Sequence, residues 1–237
     1  MTHTRSLKTA GVITAFAAII LAGMISSSKR VRARDDETAD QREESRIQRG
    51  FDIAPVHLNL EGKNRALVGL GSYIVNAVGD CNGCHSAGPR TEFVNPGGNP
   101  YFRIPPFGGT EELNLETYLG GGRDFGPNGS VLHLYSRNLT PDKTGLPAGG
   151  HSFAEFVEIM RKGTDFDHVH PNCTAPGIPA NCYEAPVNGD LLQVMRWPFF
   201  RNMTDHELAA IYEYLSAVPC NPGQVIAGAP YLQNTCE

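Results

Sequence analysis

The pentapeptide Cys81-Asn82-Gly83-Cys84-His85 constrains this chain more than any other feature of its 237 residues. Two thiols three residues apart, followed at once by an imidazole, have the spacing at which a haem is attached covalently. The sulfurs add to two vinyl groups and the histidine coordinates the iron. A disulfide redox pair would expect a neighbouring βαβ pattern, whereas an apolar helical stretch leads into Cys81. A structural zinc site would want a second pair at similar spacing, which Cys173/Cys182 and Cys220/Cys236 do not supply. The motif occurs once. The expectation is therefore one covalently attached haem c, with Cys81, Cys84 and His85 binding it and His85 on the metal.

Composition sets what surrounds the motif. A hydrophobic share of 41% with 19% charged residues excludes a wholly disordered chain, and 26 glycines without a three-residue period exclude a collagen-like one. The formal charge of −5 hides an asymmetry. Residues 1–34 hold six bases (Arg5, Lys8, Lys29, Arg30, Arg32, Arg34) and no acid, so 14 bases face all 25 acids in the remainder. So acidic a body repels phosphate backbones and no basic stripe with interleaved aromatics interrupts it, which disfavours nucleic acid and suits small molecules or basic protein patches as partners.

The first 28 residues have the order of an export segment. A basic start is followed by 16 uncharged residues at 10–25 and then Ser26-Ser27-Ser28, which reads as a signal peptide or an N-terminal membrane anchor. Residues 29–50 are almost all polar or charged with no periodic apolar face, and read as a solvated linker. A folded domain over 51–219 and a C-terminal tail over 220–237 complete the expected organisation.

Three helical stretches stand out within that domain, and strand alternation is weak throughout. Residues 65–78 are apolar on nearly every side and end at Gly79, which suits a buried helix with a left-handed cap. Ser152 and Glu155 form a Ser-x-x-Glu capping box ahead of Phe153, Phe156, Val157 and Met160 on one face, closed by Gly163. Thr204 and Glu207 repeat that logic ahead of Leu208, Ile211, Tyr212 and Leu215, with Pro219 beyond.

Four segments, GSYIVNAVGDCNGCH at 71–85, YSRNLTPD at 135–142, HSFAEFVEIMRKGTD at 151–165 and MRWPFFRNMTDHELAAIYEYLSAVP at 195–219, occur in an order and with a content that resemble the single-haem class I c-type cytochromes. Within that family the resemblance is to the bacterial branch that partners, or forms subunits of, periplasmic dehydrogenases. It implies an all-α, cytochrome c-like fold, here with long Gly/Pro-rich loops, and a sixth iron ligand from a methionine shortly before the last helix. In the family pattern a short Pro-containing stretch and an Asn-x-Thr-Asp helix start follow that methionine. The pattern falls on Met195, Pro198 and Asn202-Met203-Thr204-Asp205, so Met195 is the expected second metal ligand. Arg196 stands where the family often has proline, which departs from the usual loop.

Other ligands are open to this sequence. Met203 lies one residue before the helix cap, and Met160 sits on an apolar helix face that suits the core. His168 and His170 lie in a polar loop, and either would give a bis-histidine iron of lower potential. His57, His133, His151 and His206 read as ordinary surface or capping-region residues. Trp197 and Arg137 are placed to hydrogen-bond haem propionates. The four remaining cysteines allow three pairings, of which 173–182 with 220–236 is the simplest; in an oxidising compartment it would staple the loop leading to Met195 and tie down the tail.

The function expected is one-electron transfer between a membrane or periplasmic oxidoreductase and an acceptor, by a periplasmic carrier that is not itself an enzyme. Its redox partner would be a dehydrogenase or oxidase, with membrane association through residues 10–25. The rival class is a catalytic or ligand-sensing haem protein with a labile or histidine sixth ligand.

Overall fold

The computed structural model describes residues 38–87, 91–94, 97–101, 103–104, 107–108, 111–127, 133–173, 181–227, 229 and 232–237. The export segment at 1–28 and the first part of the linker lie outside them. Two compact units divide between Ser45 and Arg46. In the first, Thr38 opens helix α1 (Ala39–Ile53) with a reciprocal cap: its hydroxyl accepts from Gln41 N–H (3.2 Å) while Gln41 Oε1 accepts from Thr38 N–H (2.8 Å).

In the second unit the last turns of α1 pack on helix α2 (Arg65–Tyr73), which corrects the expectation of a solvated linker up to residue 50. Ile47 is only 8% exposed, and a Cβ added at Gly50 would lie 1.8 Å from the Gly69 carbonyl oxygen. Ser72 Oγ donates to the Gly50 carbonyl (2.7 Å), and the Arg65 guanidinium lies 4.3 Å from the centre of the Phe51 ring. A face made of Ile47, Gly50 and Phe51 has too few apolar side chains to register as amphipathic. It is buried because Ile47 and Phe51 pack their side chains against Gly69 while Gly50 meets the Gly69 carbonyl.

Asn64 caps α2, its side chain accepting from Ala66 and Leu67 N–H. The helix then loosens into a π-helical turn (Ile74–Val78), with Gly79 N–H donating to the Ile74 carbonyl at 2.7 Å. The extra residue in that turn keeps Gly79 right-handed (φ −89°) and passes the left-handed reversal to Asp80 (φ 45°). The expected cap is thus displaced by one residue, and Asp80 rather than Gly79 turns the chain into α3 (Cys81–His85).

Helices α4 (Phe153–Lys162) and α6 (Asp205–Leu215) begin at the two capping boxes as expected, each cap worth about 1 kcal/mol. Gly163 closes α4 at φ 76°, with the Trp197 ring against the face where a side chain would stand. Between them lies a short helix α5 (Trp197–Phe200). α2 and α6 cross at Gly71, where an added Cβ would come 1.9 Å from the Ala210 carbonyl oxygen. Around that crossing Val68, Leu70, Val75, Leu208, Ile211 and Leu215 form the buried core.

The all-α expectation needs one correction. Among the described residues two small antiparallel sheets accompany the helices, β1 (Arg103–Ile104) with β2 (Phe107–Gly108) and β3 (Asp124–Pro127) with β4 (His133–Tyr135). Strands of two to four residues are too short for an alternation pattern to show in sequence.

A polar chain runs through the core behind the π turn. Tyr118 O–H lies 2.5 Å from Asn76 Oδ1 and 2.8 Å from the Tyr214 hydroxyl, and Asn76 Nδ2 donates to the Ser72 carbonyl (3.0 Å). Burial is the main cause that raises both phenols above their ordinary value of 10.0. The unfolded chain ionises these phenols first, so stability is full below about pH 10 and declines as pH climbs through and beyond it. Denaturant midpoints measured from pH 8 to 11 should show that decline, and Tyr118→Phe should flatten it; an unchanged slope in the variant would assign the decline elsewhere.

The four other cysteines form the local pairs Cys173–Cys182 and Cys220–Cys236. The second joins the end of the tail to the chain beyond α6, and hydrogen bonds hold both to the segment at 138–143. Asn138 Nδ2 donates to the Asn221 carbonyl (2.9 Å), Asn221 N–H to Thr140 Oγ1 (2.9 Å), and Asn234 Nδ2 to the Thr140 carbonyl (2.9 Å).

Candidate haem site

Asp80 turns the chain so that α3 forms one wall of a cavity of about 1580 Å³, counting the part open to solvent. Much of the rest of the wall is apolar, from Ile74, Leu139, Phe156, Ile159, Leu192 and Ile211. Cys81 and Cys84 both line it as free thiols, Cys81 half-buried and Cys84 exposed. Burial, reinforced by the Asp80 carboxylate, pushes the Cys81 thiol up to about 12, which keeps its proton on sulfur.

His85 is oriented by backbone. Its Nδ1 lies 2.8 Å from the Arg137 carbonyl oxygen, so Nδ1 carries the proton and donates while Nε2 keeps its lone pair. Burial lowers the pKa of the ring and favours that neutral state. The carbonyl gets this close because of Gly121 (φ 70°), where a Cβ would stand 2.5 Å from the Arg137 carbonyl carbon. Gly121 N–H also donates to the His85 carbonyl (2.7 Å), Leu119 N–H to Asn82 Oδ1 (2.9 Å), and the Arg123 guanidinium to the Gly83 carbonyl. The Gly120-Gly121-Gly122 run thus seats the motif, a role that its bare composition did not disclose.

Met195 reaches the same cavity from the loop between the Cys173–Cys182 staple and α5. The Trp197 indole N–H is engaged by the Leu192 carbonyl (3.0 Å) and pins that loop. The expectation that Trp197 donates to a propionate is corrected accordingly: its one donor is used and its ring packs on Gly163. Arg137 does line the cavity, but its guanidinium pairs with Asp165 (2.8 Å) and Asp167 (3.1 Å).

The rival ligands separate. Met203 and Met160 also touch the cavity, Met160 from a core position 5% exposed. His168 points away, its side chain 62% exposed and 3.8 Å from Asp190. His170 is buried in the wall. His151, read from sequence as an ordinary residue, is on the wall as well, 3.8 Å from Asp167.

The residues present fit a haem: a thiol pair, an imidazole with one nitrogen fixed and the other unprotonated, a thioether and an apolar slot. Over 149 residues, 63% of its length, the chain is 28% identical to the cytochrome c subunit of the alcohol dehydrogenase (quinone) of Gluconacetobacter polyoxogenes. The same subunit of Komagataeibacter europaeus matches equally. Over 152 residues it is 29% identical to the cytochrome c subunit of the gluconate 2-dehydrogenase of Pantoea cypripedii. The similarity supports a cytochrome c-type protein. The chain spans only 21% to 23% of the length of these curated relatives. No family model matches the chain and no solved structure matches it.

Proposed function

We propose that this chain is a one-electron carrier holding a single haem c, with Cys81 and Cys84 as the attachment thiols, His85 and Met195 as axial ligands, and a dehydrogenase as redox partner. The observation that carries the reading is that Met195, more than a hundred residues on in sequence, lines the same largely apolar cavity as Cys81, Cys84 and His85. The dehydrogenase is carried over from the relatives, which are cytochrome c subunits of dehydrogenases. When bound, the haem would supply an iron centre able to gain and lose one electron.

The chain's own residues account for the rest. The Arg137 carbonyl holds the His85 proton on Nδ1 and leaves Nε2 for the metal. The Trp197–Leu192 hydrogen bond limits how far the Met195 loop can move, and the apolar wall excludes water from the iron's surroundings. The two disulfides fit an oxidising compartment, so the reading includes export to the periplasm. Among the described residues no helix is long and apolar enough to cross a membrane, and residues 10–25 lie outside them.

The test is spectroscopic. The purified ferric holoprotein should be low-spin with a sulfur-to-iron charge-transfer band, and Met195→Ala should abolish that band whereas Met203→Ala leaves it. A band lost in Met203→Ala instead would reassign the ligand. A high-spin five-coordinate spectrum of the unaltered protein would overturn the carrier.

A further inference from the structure

Two histidines on the cavity wall share one construction. His85 Nδ1 faces a backbone carbonyl, that of Arg137, at 2.8 Å; His170 Nδ1 faces another, that of Asn181, at 3.0 Å. In both rings the carbonyl holds the proton on Nδ1 and leaves a lone pair on Nε2, which is the arrangement that prepares an imidazole for a metal. At His170 that lone pair has no hydrogen-bond partner among the described residues, although the atom is fully buried and the residue is 9% exposed. A buried acceptor left unmatched is costly unless the site serves some other state of the molecule.

The surroundings hold His170 in that orientation. The Cys173–Cys182 bond brings Asn181 alongside, and Asn181 Nδ2 donates back to the Val169 carbonyl (2.5 Å). Tyr183 N–H donates to the Pro171 carbonyl (2.7 Å) and Cys173 N–H to the Tyr183 carbonyl (2.8 Å), a short ladder that sets the Tyr183 ring 5.3 Å from the imidazole. Gly189 packs on the His170 carbonyl, where an added Cβ would stand 2.1 Å from its oxygen. The chain running on from Gly189 leads directly to Met195. The staple therefore braces one imidazole and the loop carrying the thioether together.

We propose that His170 is a reserve axial ligand, which replaces Met195 on the iron when the thioether is lost or displaced. The inference rests on the haem reading above. In the exchange the coordination bond from the Met195 sulfur breaks and one from His170 Nε2 forms. No electron is transferred, and no proton leaves because Nε2 already carries a lone pair. The product is a bis-imidazole iron, which favours the ferric state more than the His/Met pair does.

The experiment compares ferric holoproteins of Met195→Ala, Met195→Ala/His170→Gln and Met195→Ala/His151→Gln by electron paramagnetic resonance and near-infrared spectroscopy. Covalent haem content and far-ultraviolet dichroism verify that each is folded and loaded. Met195→Ala is expected to lose the sulfur band yet remain low-spin with a bis-imidazole signature. Removing His170 as well should convert it to high-spin, whereas removing His151 should not. A high-spin Met195→Ala protein overturns the proposal, as does a low-spin Met195→Ala/His170→Gln protein or a conversion that follows His151. If the unaltered protein already lacks the sulfur band and His170→Gln alone makes it high-spin, His170 is the resident ligand; that result overturns the Met195 assignment and the reserve role together. Absence of covalent haem from the unaltered protein would instead defeat the haem reading itself.

Discussion

Gly71→Ala is expected to destabilise the folded domain by about 3 kcal/mol or more, although helix propensity alone predicts a gain of about 1 kcal/mol. The sign is decided by the crossing of α2 and α6. The new Cβ would sit 1.9 Å from the Ala210 carbonyl oxygen and 2.6 Å from its carbon. Both are backbone atoms of a helix interior, so neither can swing aside. The helices would have to part, loosening Val68, Leu208 and Ile211, which are at most 5% exposed. Chemical denaturation of Gly71→Ala beside Gly97→Ala, where nothing lies within 4 Å of the added carbon, isolates the effect. The Gly97 variant should stay within about 0.5 kcal/mol of the parent. Equal midpoints for the two would mean the helices do not touch at Gly71.

Cys220→Ser/Cys236→Ser is expected to cost about 3 kcal/mol, the size that chain-entropy arguments give a loop near 15 residues. The bond spans a separation of 16 residues and holds a tail whose Leu232 is fully buried. Asn234 still offers its hydrogen bond to the Thr140 carbonyl, and Lys143 N–H its bond to the Thr235 carbonyl at 2.7 Å, so the tail has some attachment left. Its detachment would open the side of the protein at Asn138 and Thr140, both 1% exposed. Thermal unfolding and limited proteolysis of the double variant measure this. A parental midpoint with an uncut tail would show that the hydrogen bonds suffice without the covalent tie.

What was legible beforehand was legible for local reasons. The Ser152/Glu155 and Thr204/Glu207 boxes are contacts between residues three apart, so spacing alone announces them, and both are present with reciprocal bonds. The cysteine pairs are close in sequence, which made the local connectivity the simplest of three. By contrast, Gly79 reads as a left-handed cap because nothing in the residue string signals a π turn, which depends on how the whole segment packs. The last turns of α1 read as solvated chain because Ile47 and Phe51 stand among charged residues and the helices approach closely only through Gly50 and Gly69, which leave no hydrophobic pattern to detect.

The cavity divides in the same way. The identity of its chemistry, two thiols and an imidazole, is written in five consecutive residues, since covalent attachment of one group demands fixed local spacing. Resemblance to a family added Met195. That His151 and His170 join the same wall, that Trp197 spends its donor on Leu192, and that Arg137 is paired with two carboxylates are products of contacts between segments far apart in sequence. The sequence by itself thus determined which atoms are offered to a cofactor. Only the tertiary structure decided which nitrogen of each ring stays free, because that depends on a carbonyl brought from elsewhere in the chain: Arg137 for His85, and Asn181 for His170.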